Sequence, residues 1–186
     1  MSNKYIILIL AFTICWANSF ADDLVDKYVT AAAKGEFSKV VSYVKKGVKI
    51  DGKNQARWTA LAYACKYNHL DIVKFLVEKG AKINETVNTG STPLAVALLG
   101  GYFDIADFLI QHKADINKAD IMGMSPLMWA VKDGNLKIIK YLTEHGANIN
   151  AVNSNGRSVI EIAIAQDVKD FLKSKGAKTS LELMKE

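Results

Sequence analysis

The side chains of this chain that could do chemistry are three histidines, two cysteines and a ladder of carboxylate and amide residues. Catalysis needs titratable groups that converge in one pocket. His112 and His145 stand 33 residues apart, His69 stands by itself, and no His-x-x-x-His or Cys-x-x-Cys pair accompanies them. A glycine-rich phosphate loop and a Gly-x-Ser-x-Gly turn are also missing from the sequence. Asp51, Asn84, Asn117 and Asn150 recur at the same interval of 33. One layer of packed helices separates such residues by roughly 10 Å, too far to share a cation held at about 2.4 Å. They are expected to bond local backbone in turns instead. Asn84-Glu85-Thr86 matches the acceptor pattern for N-glycosylation, although the turn already accounts for that asparagine. The expectation is a non-enzymatic protein with no catalytic residue, no metal and no cofactor.

The elements that position these residues follow from the same period. Thr59-Ala60-Leu61, Thr92-Pro93-Leu94, Ser125-Pro126-Leu127 and Ser158-Val159-Ile160 all fall in one register. A hydroxyl accepts a hydrogen bond from an orphan N–H at a helix start, and proline at the first helical position presets φ. Thr59, Thr92, Ser125 and Ser158 are therefore predicted N-caps. The short helices they open end near Asn68, Gly101 and Gly134, where positive φ is tolerated. A second helix follows, with apolar residues at Leu70, Ile72, Val73, Phe75 and Leu76 in one block and at Leu136, Ile138, Ile139, Tyr141 and Leu142 in another. Gly47, Gly80 and Gly146 terminate these second helices, and Lys113 occupies the corresponding slot in the remaining block. Ala-x-Ile-Asn comes next, then a polar stretch carrying Gly90, Gly123 or Gly156, with Arg57 standing where that glycine would be. The repeating unit reads helix, turn, helix, finger.

The N-terminus is of a different kind. Lys4 supplies a positive start, Tyr5 to Trp16 is an apolar run, and Ser19-Phe20-Ala21 places small residues for cleavage after Ala21. Residues 1–21 read as a signal peptide, since the run is short of the roughly 20 residues that span a bilayer. Cys15 is not the lipidated cysteine of a lipoprotein, because Phe12 and Ile14 flank it where leucine and a small residue are required. Cleavage removes one of 24 basic residues and none of 19 acidic ones, so a net charge of +5 falls to +4. So mild an excess does not imply nucleic acid. Cys65 is then the lone cysteine, and an exported chain is expected to keep it buried in a helix.

Gly-x-Thr-Pro-Leu at Gly90 to Leu94, with Gly-Ala-x-Ile-Asn at Gly80 to Asn84 and Gly146 to Asn150, resembles the ankyrin repeat. A helical-pair repeat of period 34 would lack that second element. The resemblance implies an all-α fold, an ankyrin-repeat solenoid of about five helix-turn-helix units with β-hairpin-like fingers. The units are 22–53, 54–86, 87–119, 120–152 and 153–178, and a tail at 179–186 opens with the capping-box pattern Thr179-x-x-Glu182. His69, His112 and His145 fall in slots where the family commonly has histidine. The family's usual histidine after Thr-Pro-Leu is replaced by Ala62, Ala95, Met128 and Glu161, which implies fingers less firmly tied to one another. With its leader, the chain is similar to exported, periplasmic bacterial ankyrin proteins. Secretion as an effector that engages host proteins is the alternative.

By this resemblance a protein partner would meet the finger tips and the concave face of the first helices, and the chain alone would be a monomer. Gln55, Arg57, Trp58, Lys66, Ile121, Met122, Met124 and Arg157 are the expected contact residues. Trp58, Ile121, Met122 and Met124 are large apolar groups on what should be a wet edge. They would otherwise cover the neighbouring finger. Lys53 and Lys132 are expected on the same face, giving mild attraction to an acidic partner, while Tyr63 and Trp129 are assigned to the core beside Val96 and Ile162.

Overall fold

The computed structural model describes residues 22–185. The expected leader, with Cys15 and Trp16, lies outside the described residues. The chain divides into two compact units, one reaching Lys82 and one beginning at Ile83. In the first unit, residues 22–33 form helix α1, followed by α2 (Phe37–Lys45), α3 (Ala60–Lys66) and α4 (Leu70–Glu78). The second unit holds α5 (Pro93–Leu99), α6 (Phe103–Gln111), α7 (Pro126–Lys132), α8 (Leu136–Glu144), α9 (Val159–Ile162), α10 (Gln166–Ser174) and α11 (Ser180–Leu183). Helices account for all the regular structure among the described residues apart from one antiparallel bridge, Val152 to Ser158.

Each short helix starts where its hydroxyl residue places it. Thr59 accepts from the Ala62 N–H at 3.1 Å, Thr92 from Ala95 at 3.2 Å and Ser125 from Met128 at 3.2 Å. At Ser158 the third helical residue is Glu161, and its carboxylate accepts the Ser158 N–H at 2.7 Å. Thr179 and Glu182 close both bonds of a capping box at the start of α11, whereas the buried Ser158 hydroxyl has no hydrogen-bond partner and only the Glu161 half of its box is made. Longer helices bury one stripe each: Ile72, Val73 and Leu76 in α4, Ile105, Ala106 and Leu109 in α6, and Ile138, Ile139 and Leu142 in α8. In α10 only Val168 and Leu172 are buried, because the Lys169 slot, one along from Val168, carries a charge where α8 has Ile139.

Lys113 adopts φ 67°, in the same conformation as Gly80 at 84° and Gly146 at 85°. Its backbone makes the same closing bonds: Lys113 N–H to Ile110 at 2.9 Å and Ala114 N–H to Leu109 at 2.9 Å. A Cβ in that region costs about 1–2 kcal/mol, and the extra unfolded freedom of glycine offsets part of it. Lys113→Gly is therefore expected to stabilise by about 0.5–1 kcal/mol, raising the thermal midpoint by about 1–4 °C. A calorimetric scan in which the midpoint is unchanged or lower would contradict this account of the turn.

The asparagine ladder departs from expectation. Asp51 accepts not a local amide but that of Lys82, 31 residues on, at 2.9 Å. Within the second unit Asn84 accepts from Asp115 at 2.9 Å, Asn117 from Asn148 at 2.7 Å and Asn150 from Lys178 at 2.9 Å. Local turns are closed by other residues: Asn54 accepts from Trp58, Asp120 from Met122 and Met124, and Asn153 from Asn155 and Arg157, at 2.9–3.0 Å. The loops are also joined at their tips, Ile121 donating to Thr89 and Ser154 to Met122, both at 3.3 Å. Loop-to-loop fixing thus exists without the family histidine, by amide side chains and backbone.

Candidate partner-binding surfaces

In the first unit the loop before α3 and the open side of α3 bring aromatic rings together. Trp58 and Tyr63 have centroids 4.8 Å apart, and Tyr63 stacks with Tyr67 at 6.1 Å with planes 2° from parallel. Residues 63 and 67 lie one helical turn apart, so both project from the same side. Lys66 lays its ammonium 5.1 Å from the Trp58 ring centre, 5.3 Å from Tyr67 and 5.9 Å from Tyr63. Tyr63 is half-buried, so its assignment to the core is corrected: these rings form a shelf whose outer part, Tyr67 above all, is in water. Arg57 at φ 62° and Gln55 are exposed beside it, with the Gln55 N–H on the Asp26 carboxylate at 3.3 Å.

The second unit carries a related but different arrangement. Trp129, also assigned to the core, is half-buried, because its indole N–H donates to Asp120 at 2.8 Å and holds the ring at the surface. Lys132 sits 4.6 Å over that ring. On the adjoining loop Ile121 is 75% exposed and Met122 52%. Met124 is not on the wet edge, being 6% exposed. Both its backbone groups are held in the turn closed by Asp120, and the Asn153 amide of the next loop lies against its sulfur at 3.5 Å. Met124 therefore covers a neighbouring loop; Ile121 also touches one, at Gly90, but it and Met122 keep most of their surface in water. Arg157 is exposed and donates to the Glu161 carbonyl.

Two exposed residues at the ends of the short helices α3 and α5 escaped the sequence reading. Tyr67 was findable, since it stands four residues after Tyr63. Leu99, half-exposed, occupies the slot of Lys66 and Lys132 one period away.

The histidines have structural partners. His69 bonds the Ala33 carbonyl at 3.2 Å, and His112 and His145 each bond the carbonyl four residues earlier at 2.8 Å. Cys65 is fully buried in α3, and burial pushes its thiol well above the usual range. Among the described residues no group of three His, Cys, Asp or Glu side chains is placed to hold a metal, and no helix is long and apolar enough to cross a membrane.

Glu161 joins α9 to α11, accepting from Ser158 and also from the Ser180 N–H at 3.2 Å and hydroxyl at 2.9 Å. The Ser158 N–H first, and the Ser180 groups with it, hold the carboxyl below its ordinary range against an opposing effect of burial. A group depressed in the folded state contributes stability above its unfolded pKa and loses it as pH falls through the folded value. The advantage of the native chain over Glu161→Gln in urea denaturation is accordingly expected to be full at neutral pH and to narrow below about pH 4. An advantage that stayed constant down to about pH 2.5 would sever the carboxylate from that stability.

Paired helices whose apolar stripes are buried, joined by loops that bond the next loop at a fixed interval, define a helical repeat protein. A family model described as "Ankyrin repeats (3 copies)" matches residues 29–120 and again 118–182, and the chain belongs to that family. It is 32% identical over 62 residues to the eye-specific diacylglycerol kinase of Drosophila melanogaster, a stretch that is 33% of this chain and 4% of the kinase. The chain thus spans a small fraction of that relative's length. Ankyrin repeats are protein-binding modules and are typically non-enzymatic.

Proposed function

We propose that this chain is an exported scaffold of five ankyrin units with hairpin-like fingers. It holds a protein partner by loop tips and first-helix faces, and so stabilises, inhibits or neutralises that partner in the periplasm. The observation that carries the reading is the contrast at the loop before α7. Ile121 and Met122 stand in water while the recurring apolar positions of the helices beside it are buried. Large apolar side chains left mostly in water mark contact sites, and the Trp58 shelf of the first unit adds aromatic anchors of the type that dominate interfaces. Export is supported by the basic start, apolar run and small residues before residue 22. The same leader suits a secreted effector that engages host proteins.

The test is crosslinking of the tagged full chain in its own cells, with Trp58→Ala and Ile121→Ser/Met122→Ser as variants and Leu181→Ser as a surface control. At least a tenfold loss of the crosslinked partner is expected for the two variants and none for the control, since anchors at an interface centre are worth about 2 kcal/mol or more. Equal recovery by all four proteins would defeat the assignment. Fractionation separates the two destinations, as an effector accumulates in the medium and a periplasmic scaffold does not.

A further inference from the structure

We infer that the shelf of Trp58, Tyr63, Tyr67 and Lys66 is a carboxylate reader, taking an acidic side chain from an extended segment of the partner protein. This rests on the binding reading above and adds the chemistry of what is bound. Three rings surround one ammonium at 5.1–5.9 Å. Ring faces attract a cation without neutralising it, so Lys66 is held in place with its charge intact. Among the described residues no carboxylate lies within ion-pair distance of Lys66. Exposed Arg57, adjacent to Trp58, adds a second charge of the same sign.

The occupant follows from what the ammonium covers. A sugar ring or a base would have to stack on the faces against which Lys66 already lies. A carboxylate approaches the ammonium from outside and leaves every cation–π contact in place. Charge-assisted pairing of that kind is stronger than a neutral hydrogen bond, and a lysine already ordered by three rings loses less freedom on binding. The second unit shows the contrasting case. Lys132 lies over a single ring, Trp129, whose indole N–H is bonded to the Asp120 carboxylate, so one ring with a negative charge at its edge stands where Lys66 has three.

The experiment is fluorescence anisotropy of a labelled peptide alternating Glu and Ala, against matched Gln–Ala and Lys–Ala peptides, with the full chain at low salt. The Glu peptide is expected to bind, the other two not. Lys66→Met keeps the aliphatic stem on the rings and removes the charge, and is expected to weaken binding about five- to tenfold. Lys66→Arg is expected to retain it, and Lys132→Met to stay within about twofold. The inference is overturned if Lys66→Met binds like the native chain, if Lys132→Met loses as much, or if the Gln peptide binds as well as the Glu peptide. It is also overturned if an acidic oligosaccharide of matched charge binds more tightly than the peptide. Partner crosslinking that is lost with Trp58→Ala but kept with Lys66→Met overturns the carboxylate assignment and leaves the proposed function standing. Crosslinking indifferent to both substitutions removes the surface reading itself.

Discussion

Gly123→Ala is expected to destabilise the chain by about 2–4 kcal/mol, lowering the thermal midpoint by on the order of 10 °C. Two effects add. Gly123 has φ 70°, where a Cβ costs about 1–2 kcal/mol. That Cβ would also stand 2.5 Å from both the backbone nitrogen and the hydroxyl of Ser154. Ser154 cannot retreat freely, because its N–H is the donor that bonds Met122 and joins the two loops. Relief of the clash therefore breaks the tie. The control is Gly134→Ala, at φ 69° with nothing within 4 Å of the added carbon. It should show the conformational cost alone, about 1 kcal/mol after the entropic gain of alanine. Equal losses at the two sites would mean that the loops do not press together at Gly123.

The difference between these two glycines was beyond the sequence, and the reason is physical. Both carry the mark of positive φ, which depends on a residue's own Cβ and is legible at a single position. Whether a neighbouring loop lies 2.5 Å away depends on residues 31 positions further on. The N-caps at Thr59, Thr92 and Ser125 and the terminating slot at Lys113 were legible because each follows from local geometry or from the period. The asparagine ladder was visible as a period but not as a bond, since Asn117 and Asn148 meet only when one loop is laid beside the next. Exposure was hardest to read. Trp58, Ile121, Met122 and Met124 are all large apolar loop residues, yet Met124 alone among them is buried, its sulfur lying against the Asn153 amide of the next loop. Tyr63 and Trp129 fail the other way: a hydrogen bond to Asp120 and a cation over the ring hold large aromatic groups at the surface, where hydrophobicity alone would place them inside.

The caps provide the second large effect, because the structure gives identical sequence signals unequal weight. Thr92 is fully buried, and its hydroxyl is the partner of the Ala95 N–H, itself in a residue only 6% exposed. Valine keeps the branched shape and removes the acceptor. Thr92→Val should leave a buried donor unpaired and cost about 2 kcal/mol, seen as a lower urea midpoint at unchanged slope. Thr92→Ser keeps the hydroxyl and is expected to lose less than about 1 kcal/mol, as serine fills the same role at Ser125 in the same unit. Thr179 makes the equivalent bond to Glu182 at 3.3 Å on an exposed helix. There water replaces the hydroxyl, so Thr179→Val should cost well under 1 kcal/mol. The ratio between the two valine variants measures how much of a cap's worth comes from the exclusion of water. Were Thr179→Val to prove as damaging as Thr92→Val, burial would not be what gives the cap of α5 its weight, and the hydrogen bond alone would have to carry it.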